Sequence, residues 1–109
     1  MPENKSGNEN LQPKPDIDRL IHEPARLTIM AFLYVVESAD FLFLMNQTGL
    51  TKGNLSSHLS KLEEVGYVEI EKKFIGKIPR TILRLTYEGR NAFNKYRRNM
   101  QSMLDELPE

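Results

Sequence analysis

Apolar residues crowd together after Pro24. Set on a helix at about 100° per residue, Leu27, Ile29, Met30, Phe32, Leu33 and Val36 cover most of its circumference. Proline suits the first helical position, where its missing N–H is harmless. A helix apolar nearly all round is expected to lie buried at the centre of a domain, here ending before Ser38. Upstream, Asp16 is placed to cap a short helix, IDRLIH, with Ile17, Leu20 and Ile21 on one side. Downstream, Asp40 caps FLFLMNQT and Gly49 stops it. Periodicity alone would also allow FLFLM to be a buried strand, but no partner strand follows NQTG. Thr51 then caps a helix running to about Val65, closed by Gly66.

From Tyr67 the period changes to two. Val68, Ile70, Lys72 and Phe74 alternate with Tyr67, Glu69, Glu71 and Lys73, and Thr81, Leu83 and Leu85 alternate with Arg80, Ile82 and Arg84. The connection IGKIP holds Gly and Pro, which predicts a β-hairpin with a somewhat extended tip. Thr86 caps a last helix of about 20 residues, ended by Pro108. The predicted class is mainly α with a small β-hairpin. Two helices joined by a short turn containing Gly and followed by a basic hairpin make a winged helix-turn-helix, here with an extra C-terminal dimerisation helix. The expected organisation is a disordered tail over 1–15, the winged helix-turn-helix over 16–86 and the dimerisation helix over 87–109. The tail reading rests on three Pro, one Gly and several Asn with a single large apolar residue, Leu11.

The helix after Thr51 has an unusual surface. By the helical period Leu55, Leu59 and Leu62 share one side, with Val65 at its margin. The opposite side holds Gly53, Ser57 and Ser60, flanked by Ser56 and Lys61. Ser and Asn are poor choices for an ordinary exposed helix. Short hydroxyl and amide side chains do fit a DNA major groove and can hydrogen-bond bases or phosphates. Glu63 and Glu64 would repel phosphates, so only the first two turns are expected to enter. His58 falls at the edge of the leucine side, where it is either half-buried or a phosphate or base contact. An amphipathic helix with a Ser-rich surface is the plain alternative for this segment.

Charge sharpens the picture. The 109 residues carry no formal net charge, yet nine basic residues face two acidic ones between Glu71 and Arg98, a net +7. A neutral chain with such a block can bind a polyanion locally. Lys72, Lys73, Lys77 and Arg80 cluster about the hairpin tip, where lysine and arginine give phosphate contacts, and an Arg can enter a narrow minor groove. Lysines guarding an exposed strand edge are the alternative for Lys72 and Lys73. With no Cys and two His the chain offers no disulfide framework and no credible metal site. A polar N-terminus and the lack of a long apolar run predict neither a secretory signal nor a membrane span, and a cytoplasmic address. Without a nucleophilic Cys, a Gly-rich phosphate loop or a His cluster with carboxylates, an enzyme is not expected.

Three stretches together resemble the compact winged-helix transcriptional regulators of bacteria and archaea, near the ArsR and MarR groups. HEPARLTIMAFL is similar to the opening helix of ArsR-type repressors. LTKGNLSSHLSKLEEVGYVEIEKKF with FIGKIPRT is similar to a recognition helix and wing. LTYEGRNAF resembles the junction into the final helix. The resemblance implies a dimeric regulator of duplex DNA, with contacts from Thr51, Lys52, Asn54, Ser56, Ser57, His58 and Lys61 in the helix and Lys77 and Arg80 in the wing; Lys72 is added from its place beside the tip. Metal sensing does not carry over, because the ligand clusters of ArsR sensors are missing. The short chain gives no support for a small-molecule effector, and no cofactor is expected.

The last helix carries its own message. Phe93, Tyr96, Met100, Met103, Leu104 and Leu107 form one stripe. A domain this small can cover only its first two or three turns, leaving Met100 to Leu107 to another chain. Ile17, Leu20 and Ile21 would complete a homodimer interface, with two recognition helices about 34 Å apart on a near-palindromic site. The competing reading is a winged-helix module that binds protein rather than DNA.

Overall fold

The computed structural model describes residues 17–109. The expected N-terminal tail and the Asp16 cap lie outside them. Among these residues four helices and a three-stranded antiparallel sheet follow one another as α1 (Pro24–Val35), β1 (Ala39–Asp40), α2 (Phe41–Thr48), α3 (Lys52–Glu64), β2 (Val68–Ile75), β3 (Ile78–Leu85) and α4 (Tyr87–Asp105).

Helix ends follow their caps. Asp40 accepts the N–H of Leu42 at 2.7 Å to start α2, and Gly49, at φ 73°, ends it in the left-handed region that glycine enters without strain. Thr51 accepts the N–H of Asn54 at 3.1 Å to start α3, and Thr86 accepts that of Gly89 at 2.9 Å to start α4. Glu23 caps α1 by accepting the N–H of Arg26 at 2.9 Å. That hydrogen bond holds the Glu23 carboxyl below the usual carboxylate range against the opposing effect of burial, helped by His58 and Arg26 nearby.

Ile29, Met30 and Leu33 of α1, Leu44 of α2, Leu55, Leu59 and Leu62 of α3, and Val68 and Leu83 of the hairpin form the buried core, closed by Ile21, Phe93 and Tyr96. Strand order is β1-β3-β2, with Val68 opposite Leu85 and Ile70 opposite Leu83 on the inner face. The first half of α4 belongs to this core. Buried Gly89 lets its helix approach the backbone of Tyr67, and the Thr86 N–H donates to Tyr67 O at 3.0 Å.

Four expectations change. Residues 17–22 form a single turn rather than a helix: Asp18 Oδ1 accepts the N–H groups of Leu20 and Ile21, and the chain turns once before Pro24 restarts it. Strand β1 is new; its two residues pair with Leu83 and Ile82. The hairpin tip is tight, not extended, because pairing continues to Ile75 opposite Ile78 and leaves only Gly76 and Lys77 to turn. Gly76 has φ 65° and no non-glycine residue among those described has positive φ, which fits a type II′ turn. Finally, α1 is not buried all round. Val35 is 83% exposed, and Leu27, Ala31, Phe32 and Phe43 line an open apolar groove of about 530 Å³ on its outer side. The single chain has too few elements to cover both faces of a central helix.

Candidate nucleic-acid interface

Helix α3 packs Leu55, Leu59 and Leu62 inward and turns Lys52, Gly53, Asn54, Ser56, Ser57, Ser60 and Lys61 to solvent. Apart from the two lysines, that outer surface carries no long side chain until Glu63. Thr51 is exposed, but its hydroxyl is held by the capping bond to Asn54. The amides of Lys52 and Gly53 open from the helix start, where the positive end of the dipole favours an anion.

Beside α3 the inner face of the hairpin forms the far wall of a cleft of about 690 Å³. Its apolar floor includes Phe41, Leu59, Ile70 and Leu83; Ser56, Ser60 and Lys52 line one side and Lys72 and Thr81 the other. Glu63 marks its C-terminal end, so the positive part of the cleft lies by the start of α3. The structure thus brings Lys52, Ser56 and Lys72 to one opening. Beyond Glu71 every β2 residue is exposed, and Lys77 sits in the turn itself.

The basic block divides once its partners are seen. Arg80 donates to Asp40 Oδ2 at 2.9 Å, which ties the wing to the start of α2 and removes Arg80 as a free wing-tip cation. Arg84 lies 3.3 Å from both Glu69 and Glu71, and hydrogen bonds to these carboxylates raise the guanidinium's pKa above its usual value. Arg90 and Arg97 lie over the Tyr34 ring at 4.6 and 5.6 Å. By contrast, Lys52, Lys61, Lys72, Lys73 and Lys77 have no ion pair among the described residues. Lys73, which the expected contact set omits, is as free as Lys72; the alternation puts it on the other hairpin face, and only the exposure of both faces brings it in.

His58 also leaves the expected set of contacts. Its Nδ1 lies 3.1 Å from Arg26 Nη1, and Arg26 Nε donates to Leu20 O at 2.6 Å. The contact ties the His58 ring to the Arg26 guanidinium. Glu23 Oε1 stands 3.9 Å away. His58 therefore fixes α3 against the start of α1 instead of facing outward.

The expected interface stripe divides in the same way. Ile21, Phe93 and Tyr96 are buried within the single chain and are not surface for a second one. Ile17, Leu20 and Met100 pack partly against the core, while Leu104 and Leu107 are 56% and 62% exposed and Met103 is partly open. The physical reason is that Tyr96 is needed at home, where its hydroxyl lies 2.7 Å from His22 Nδ1.

The sequence profile of the winged helix DNA-binding domain family matches residues 25–104. An uncharacterized protein of Methanocaldococcus jannaschii is 41% identical over 78 residues, covering 72% of this chain and 85% of that protein. Among solved structures, a transcriptional regulator homologue from Pyrococcus horikoshii is 32% identical, with a TM-score of 0.77 over 83% of this chain and 91% of its own. A MarR-like transcription regulator from Bacillus cereus shares the fold at 18% identity and a TM-score of 0.65, over 85% of this chain and 69% of that one.

Proposed function

The chain belongs to the winged helix DNA-binding domain family, and from that membership we propose that it is a transcriptional regulator that binds duplex DNA in a sequence-specific way. The observation that carries this reading is the small polar surface of α3 lying beside a wing whose lysines have no ion pair among the described residues. The first two turns of α3 enter the major groove, with Asn54, Ser56 and Ser57 at base edges. Lys52, Lys61, Lys72 and Lys77 hold the flanking phosphates. The similarity to the Pyrococcus horikoshii regulator homologue supports the same reading.

The regulator works as a homodimer joined through the outer turns of α4. That helix is about 28 Å long at about 1.5 Å per residue, and its apolar residues continue past the core. Met103, Leu104 and Leu107 of two chains, together with the partly covered Met100, Ile17 and Leu20, pair about a two-fold axis. Two recognition helices then meet a near-palindromic site.

Selection of bound duplexes from a random library tests both points. A single enriched motif with two-fold symmetry is expected. Asn54→Ala or Ser57→Ala should change the enriched bases, whereas Lys77→Ala should weaken every sequence about equally. Recovery of no preferred sequence would refute sequence-specific recognition.

A further inference from the structure

The wing tip is strongly apolar and wholly open. Phe74 is 71% exposed, and Ile75 and Ile78 are each 56% exposed. Phe74 stands opposite Pro79, and Ile75 opposite Ile78, on either side of the Gly76–Lys77 turn. Side chains alternate across a ribbon, so Phe74 continues the face of Ile70 and Lys72 while Ile75 lies on the reverse. The tip is therefore apolar on both faces. A ribbon made to lie flat on another protein would be apolar on one.

The basic residues complete the pattern. Lys72 and Lys73 precede the apolar tip, and Lys77 sits at its apex, all three without ion pairs among the described residues. Pro79 lacks the N–H that a further strand would need along the β3 side of the tip, so that side resists edge-to-edge pairing while keeping its exposed apolar side chains. We propose that this tip is a wedge for the duplex minor groove: its apolar side chains insert at a base step and kink the DNA, while the lysines hold the phosphates on the groove's two rims. The proposal rests on the DNA-binding reading above and extends it.

Dimensions favour this occupant. The two strands are about 4.8 Å apart, against a minor groove about 6 Å wide and about 7.5 Å deep. That spacing runs between strand axes, so with its atoms' radii the ribbon already fills such a slot, and a tip carrying Phe74 on one face and Ile75 and Ile78 on the other enters only by widening it. Widening with partial unstacking is how apolar wedges bend DNA, by about 20–90°. From Lys72 to Ile75 the free ribbon is about 13 Å long, enough to reach past one phosphate strand from α3. Charge complementarity completes the case: a protein surface matching the tip would need to be apolar on two walls and acidic at its rims, which a minor groove supplies by its construction.

The test uses the full chain and a duplex of about 30 base pairs, A·T-rich with central TA steps, which kink easily. End-to-end energy transfer reads the bend, and titration over a salt series reads binding separately. The wild-type chain should bind the duplex and bend it into the range of known apolar wedges, at least about 20°. Phe74→Ser with Ile78→Ser should bind with an unchanged salt slope but leave the duplex nearly straight. Phe74→Leu should restore bending, and all variants should keep the wild-type melting temperature because the tip touches no core residue. Wild-type binding without a bend overturns the wedge and leaves the DNA-binding reading standing. Failure to bind duplex at any salt overturns both. An unchanged bend in the double variant, with loss of self-association in sedimentation, overturns the wedge and assigns the tip to a second copy of the chain.

Discussion

Replacing Gly89 with alanine should destabilise the protein even though alanine is the better helix former. In an open helix the exchange gains about 1 kcal/mol. At Gly89 the added Cβ would lie 2.0 Å from Tyr67 O, 2.8 Å from its carbonyl carbon and 3.0 Å from its Cα. All three atoms are backbone, so no side chain can swing aside. Ordinary carbon–oxygen contact is about 3.3–3.6 Å, and α4 must retreat by more than about 1 Å. Retreat also pulls on the Thr86 N–H bond to Tyr67 O and on the Thr86 hydroxyl, which caps Gly89 and donates to Gly66 O. Overpacking costs about 1–3 kcal/mol, the weakened cap about 1 kcal/mol and the strained backbone bond about 1 kcal/mol. After the gain in propensity a loss of about 2–4 kcal/mol is left. Urea unfolding followed by circular dichroism measures it, with Gly53→Ala as the control. Gly53 is exposed on α3 with nothing within 4 Å of its would-be Cβ, so that change should stabilise by up to about 1 kcal/mol. Two shifts of the same sign would refute the close approach of α4 to Tyr67.

Asp40→Ala should cost about 1–2 kcal/mol by removing the α2 cap and the partner of Arg80, while Asp40→Asn keeps most of the cap and loses only the smaller ion-pair share; thermal melting of both checks the order. Tyr67 donates to Asp18 Oδ2 at 2.6 Å, and burial first, then Asp18, push its pKa up to about 12. The folded pKa is raised, so its contribution is complete below about pH 10 and is lost as pH rises towards 12; Tyr67→Phe should flatten that part of the stability profile relative to the wild type, and an equally steep profile would count against the bond. Leu104→Glu with Leu107→Glu should give a monomer in sedimentation with an unchanged melting profile at low protein concentration; a dimer that survives both changes places the interface elsewhere.

Local chemistry is readable from the sequence wherever one or two neighbouring residues decide the outcome. Asp40, Gly49, Thr51 and Thr86 each act at the helix end where their side chains or backbone freedom put them. The three leucines of α3 and the alternation of the hairpin likewise follow from period alone. What escapes is long-range. Strand β1 is two residues that exist only because β3 lies alongside. Arg80 looks like a wing contact until the fold brings Asp40, 40 positions away, within 2.9 Å. His58 sits at the edge of the helical wheel, and only the neighbouring Arg26 decides that it faces in. The apolar periodicity of α1 does mark a helix, but burial on every side needs more neighbours than one chain supplies. In the stripe that runs along α4 into the turn after it, spacing does not distinguish the part that closes the core, Phe93 and Tyr96, from the part that leaves it, Leu104 and Leu107.

In the proposed complex the start of α3 and the wing hold duplex phosphates as one surface. Its most direct test is the salt dependence of duplex binding for the wild-type chain and for Lys52→Ala, Lys72→Ala and Lys77→Ala combined. Each phosphate contact contributes about 0.9 to the slope of log affinity against log salt. The triple variant should therefore bind more weakly at every sequence, with a slope shallower by about 2.7 per chain. Wild-type binding that does not depend on salt, or a triple variant with the wild-type slope, would contradict the account.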